Sequence, residues 1–167
     1  MTGDEAVERA RTWYLDDRNI YGCAETTFIV LKEAFGIENP LDSSAAMALN
    51  GGIAYGGSMC GPICGSAMAL GMLAERRIGD HLLAKSTARG LTQRLMDDFR
   101  REYGAVNCRE LIGIDLRAPG EHERFIAGEV WRTGCMRQIE WAVRRLAPLA
   151  DEAEWERAVR EVARARV

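Results

Sequence analysis

Residues 51–74 read GGIAYGGSMCGPICGSAMALGMLA, and the two halves of that stretch obey different rules. From Gly51 to Gly57 four of seven residues are glycine, which makes a backbone-exposed loop. From Met59 onward Met59, Ile63, Ala67, Leu70 and Leu73 recur three or four apart, and that period predicts a helix. Cys60 and Pro62 open it. Proline suits a first turn because the N–H it lacks has no intrahelical partner there. Gly61, Gly65 and Gly71 keep the helix surface thin. Each costs about 1 kcal/mol relative to alanine, so a second backbone or a cofactor is expected to approach closely.

The same period extends in both directions from this stretch. Val7, Ala10, Trp13 and Tyr14 lie on one face of a packing helix expected over residues 4–17. Cys23 stands in the first turn of CAETTFIVLKEAFG, where Ala24, Phe28, Leu31 and Phe35 form a stripe and Gly36 is a natural stop. Asp42 or Ser43 can cap a short segment over 44–49. Ala84, Ala88, Leu91, Leu95, Phe99 and Tyr103 stay in step along a long helix closed by Gly104. Asn107 is placed as the N-cap of a short helix that begins at Cys108. Residues 119–131 read as helical, Thr133 and Gly134 precede a helix beginning at Cys135, and Trp155, Val159 and Val162 align in a last helix over 151–165. With no alternating β-branched run and no hairpin dipeptide, the expectation is an all-α, single-domain bundle spanning 1–167. It has roughly six to eight helices and a Gly-rich loop before the Cys60 helix.

A chain of 167 residues can bury a proper core without covalent staples. Its formal net charge of -3 supplies no basic field, so nucleic acid is not an expected partner. Lys32 and Lys85 are the only lysines, and the arginines are interspersed with Asp and Glu as on a solvated surface. The first residues, MTGDEAVERARTWYLDDR, are charged from the fourth and lack the apolar run of a signal peptide. The least polar stretch, 51–74, is broken by seven glycines and a proline, so no membrane span is expected. These features point to a cytoplasmic protein, where stable disulfides are uncommon and several cysteines mean metal, cluster or redox chemistry.

Cys23, Cys60, Cys108 and Cys135 each fall where a helical pattern begins, with Cys64 one turn beyond Cys60. A helix start favours thiolates and bound anions through its spare N–H donors. The gaps are wide: 36 residues between Cys23 and Cys60, 43 between Cys64 and Cys108, and 26 between Cys108 and Cys135. Any shared site is therefore assembled by tertiary packing, as a buried iron–sulfur cluster or redox centre is. Cys60 and Cys64, at i and i+4, could also work as a thiol pair in disulfide exchange or sulfur transfer, with a low-pKa Cys60 attacking and Cys64 resolving. A structural zinc held by four thiolates is a third reading. His81 and His122 read as surface or capping residues, and Tyr55 as an anchor of the glycine loop. Trp131 and Trp141 read as core around Cys135, and Glu25 and Glu110 as complements to helix dipoles.

The ordered set Cys23-Ala24-Glu25, the glycine-rich run with CGPICG against a CGAxxG pattern, Cys108 before Glu110-Leu111-Ile112-Gly113, and Cys135 resembles the C_GCAxxG_C_C family of redox-active proteins. The likeness covers about 22–147, with Pro62 where the pattern has alanine and Cys64 where it has no thiol. The resemblance implies Cys23, Cys60, Cys108 and Cys135 as functional thiols and, through cousins related to split-Soret cytochromes, as cofactor ligands of an iron–sulfur centre. It implies a redox partner that the sequence does not identify. The cousins and the aromatic helix faces suggest a homodimer. No CxxCH occurs, so covalent c-type haem is not expected.

Overall fold

In the computed structural model, which describes residues 1–165, the helical period accounts for nearly every element. The α-helices are α1 (Gly3–Tyr14), α2 (Cys23–Ala34), α3 (Gly61–Ile78), α4 (His81–Tyr103), α5 (Cys108–Ile112), α6 (Glu121–Ala127), α7 (Met136–Leu146) and α8 (Glu152–Arg164). Short 3-10 turns cover Ser44–Leu49 and Ala147–Ala150, and a π-helical turn covers Trp131–Cys135. No regular strand forms among the described residues, and the fold is all-α. No helix among them is long and apolar enough to cross a membrane.

α2 is the centre of the assembly because it is apolar on nearly every face: Ala24 and Thr26 to Leu31 are all buried. α3 packs against it most extensively, α1 and α7 pack against it as well, and α4 packs on α3 and α8 on α4. The α2–α3 approach is close because α3 presents glycine. A Cβ added at Gly65 would lie 2.4 Å from the Ala24 carbonyl oxygen and 3.0 Å from the Phe28 nitrogen. The thinness that costs helix propensity is thus used for backbone contact. A second, smaller apolar cluster of Cys60, Ile63, Phe99 and Val106 lies at the start of α3, with Trp141 edge-on to Phe99 at 5.3 Å.

Two boundaries differ from the sequence expectation. Gly128 and Glu129, the latter at φ 51°, break the helix expected over 119–131, leaving α6 at Glu121–Ala127. Cys135 does not begin a helix. The π turn runs into α7 without a break, and the Met136 N–H bonds to the Trp131 carbonyl, so Cys135 sits inside a continuous helical run. The Thr133-Gly134 pair that reads as a breaker is absorbed by the wider π turn.

Candidate functional site

Cys23 is the first residue of α2, and its surroundings are fixed by a buried carboxylate. Glu25 accepts from the Gly22 N–H (3.0 Å), the Ser43 hydroxyl (2.8 Å) and the Asn50 amide (2.8 Å). Asn50 in turn accepts from the Ala24 N–H at 2.9 Å, which fastens the glycine loop to the start of α2. Glu25 is therefore an organiser of the site, a larger role than the dipole complement read from its position.

The loop that follows is held in an unusual shape. Gly51, Gly52, Ile53, Ala54 and Tyr55 all have positive φ, between 49° and 72°. For the three residues that are not glycine this costs about 1–2 kcal/mol each. Bonds from Ala54 N–H to Ala48 O (2.8 Å) and from Ser58 N–H to Gly52 O (3.0 Å) hold it. At Gly52 no side chain fits, since a Cβ would lie 2.6 Å from Ser58 backbone and 2.8 Å from the Cys108 Cβ.

Beyond the loop, Met59 and Asn107 form an isolated antiparallel bridge, with Cys60 N–H to Val106 O at 2.9 Å and Cys108 N–H to Ser58 O at 2.7 Å. This short ribbon ties the start of α3 to the start of α5 and so brings Cys60 and Cys108 together. The Cys60 thiol donates to the Gln138 carbonyl oxygen on α7 at 3.4 Å. Gly61 lies so close to Cys23 that a Cβ there would be 2.3 Å from its sulfur. Four of the five cysteines are thus gathered by packing from four separate segments. Cys23, Cys108 and Cys135 line one cavity of about 80 Å³ together with Tyr14, Asn50, Tyr55, His122 and Trp131. Cys60 is buried beside it, within the field of Cys23, Cys108 and Cys135. Cys64 does not line the cavity, and its sulfur turns to the Met59 carbonyl at 3.7 Å.

All five cysteines are free thiols. Burial pushes the Cys23 thiol up, and the backbone amides of Gly51, Ala24 and Gly61 directed at its sulfur recover part of that shift. Burial, then the neighbouring Cys23, Cys108 and Cys135, holds Cys60 well above the ordinary thiol range. Cys64 is pushed up to about 11 and Cys108 to about 12, in each case by burial and then by Cys23. Burial raises Cys135 as well. This overturns the expectation of a low-pKa Cys60. Desolvation moves a thiol by several pH units, whereas a helix start offers about 0.3–1 kcal/mol.

Since these pKa values stand above the unfolded value of about 8.5, the folded chain holds protons that the unfolded chain releases in alkali. The stability this confers is whole below about pH 8.5 and is lost as pH rises toward 11 and 12. The metal-free protein is expected to melt at progressively lower temperature across that window, and Cys108→Ala to show a shallower slope. Parallel slopes in thermal melts taken against pH would contradict this.

Sequence reasoning missed Tyr14, Asn50 and His122 as members of the site. His122 stands edge-on to Tyr55 at 5.3 Å at the cavity wall, whereas His81 is exposed beside Glu75 as expected. Among the described residues no three or more His, Cys, Asp or Glu side chains form a group that could hold a metal ion. No curated protein and no solved structure matches the chain. The family model described as "Putative redox-active protein (C_GCAxxG_C_C)" matches residues 21–149, the span that carries every cysteine of this site, and the chain belongs to that family.

Proposed function

We propose that Cys23, Cys60, Cys108 and Cys135 hold an iron–sulfur cluster and that the protein serves electron transfer or redox sensing in the reducing cytoplasm. The observation that carries this reading is the convergence of Cys23, Cys108 and Cys135 on one cavity, with Cys60 buried in their field. The donor set fits such a group: it is all thiol, and metal coordination would remove the protons that burial otherwise retains. A cluster bound there would supply one-electron exchange. The chain's own contributions are defined. Gly51 and Gly61 aim amides at the Cys23 sulfur, where they offset negative charge. Gln138 orients Cys60, and the apolar cluster around Ile63 and Phe99 keeps water from it.

Thiol exchange through Cys60 is disfavoured by the same burial, because a protonated, buried sulfur is a poor nucleophile. The chain purified without oxygen, or reconstituted with iron and sulfide, is expected to be brown, with matched iron and sulfide. Colourless protein that takes up neither would overturn the proposal.

A further inference from the structure

Tyr14 is the last residue of α1 and lies outside the segment that matches the family. It is nonetheless part of the cavity wall, with only 5 % of its surface exposed. α1 packs against α7 and α2. This sets the Tyr14 ring edge-on to Trp131 at 5.8 Å, and Trp131 opens the π turn that ends at Cys135. Tyr14 and Cys135 wall the same small cavity, close enough for the phenol hydroxyl and the Cys135 sulfur to interact, with Cys23 and Cys60 nearby.

We infer that Tyr14 is a positioning residue of the cysteine site: its hydroxyl donates to the Cys135 sulfur, fixes that side chain against the cavity and favours negative charge on it. The inference rests on the cluster reading for its redox consequence, though the contact itself does not. A donor on a ligand sulfur stabilises the reduced, more negative state and so raises the reduction potential. Tyr14→Phe keeps the ring against Trp131 and deletes only the donor.

The test has two arms. In reconstituted protein, Tyr14→Phe is expected to keep its iron and sulfide while the one-electron equilibrium shifts about tenfold toward the oxidised form, about 59 mV more negative. In metal-free protein, the Tyr14 contribution to the tyrosine Raman doublet, isolated by difference against Tyr14→Phe, is expected to change when Cys135 becomes Ala. Iron lost by Tyr14→Phe at an unchanged melting temperature would also support positioning of Cys135. The inference is overturned by an unmoved potential at full iron content, by a doublet indifferent to Cys135→Ala, or by iron loss that tracks a lowered melting temperature. If wild-type protein takes up no cluster, the proposed function falls, and the Raman arm alone decides the Tyr14–Cys135 contact.

Discussion

Alanine at Gly65 is expected to destabilise the protein by about 2–3 kcal/mol, while the same change at Gly71, six residues along the same helix, stabilises it by about 0.5–1 kcal/mol. Both sites gain the propensity of alanine over glycine, so the difference isolates what the new methyl group meets. At Gly65 it meets backbone on α2, 2.4 Å from the Ala24 oxygen and 3.0 Å from the Phe28 nitrogen, and neither atom can turn aside. At Gly71 nothing lies within 4 Å. Gly61→Ala is the third member of the series and acts on the site, because its Cβ would fall 2.3 Å from the Cys23 sulfur and 2.9 Å from the Ala24 nitrogen. Cys23 must then leave its place between the Gly51 and Gly61 amides, and the variant is expected to lose stability and, on the proposed cluster reading, most of the iron that the wild type takes up on reconstitution. Urea midpoints measure the first two and iron content the third. Equal midpoints for Gly65→Ala and Gly71→Ala would refute the close α2–α3 approach.

That series also marks where the sequence was legible. Helical period and glycine cost are local quantities, and they located α3, its thinness and the opening at Cys60 and Pro62. They also placed Cys23 and Cys108 at the starts of α2 and α5. Cys135 was misplaced because Thr133 and Gly134 look like a break, and nothing local distinguishes a π turn from an interruption. Tyr14 and His122 were missed for a different reason. Each belongs to the site only through packing against distant segments: Tyr14 by way of α1 on α7, His122 by way of the left-handed loop that carries Tyr55. The apolar stripe of α1 that includes Tyr14 reads as core whether or not its hydroxyl faces a cysteine. Burial decided the thiol pKa values against the helix starts, and burial is not a property of sequence spacing.

If the proposed cluster is bound, serine in place of Cys23, Cys60, Cys108 or Cys135 is expected to cut the cluster content of reconstituted protein at least about tenfold, whereas Cys64→Ser leaves it near the wild-type level. Loss of an outer-shell partner alone costs about 10–100-fold in metal affinity, so loss of a ligand should cost no less. A serine oxygen is also the harder donor, poorly matched to iron–sulfur centres. The contrast with Cys64 follows from position. It lies on the second turn of α3, outside the wall shared by Cys23, Cys108 and Cys135, with its sulfur turned to the Met59 carbonyl. Burial of Cys60, Cys108 and Cys135 means that each serine also leaves a more polar group in an apolar setting, so melting temperatures must be taken beside the iron analyses. A variant that melts as the wild type does but binds no iron has lost a ligand, and one that melts early has lost its packing. If Cys64→Ser abolished cluster binding while Cys23→Ser kept it, the ligand set would centre on α3 alone. The convergence of α2, α5 and the π turn on the cavity would then have to serve something other than the cluster.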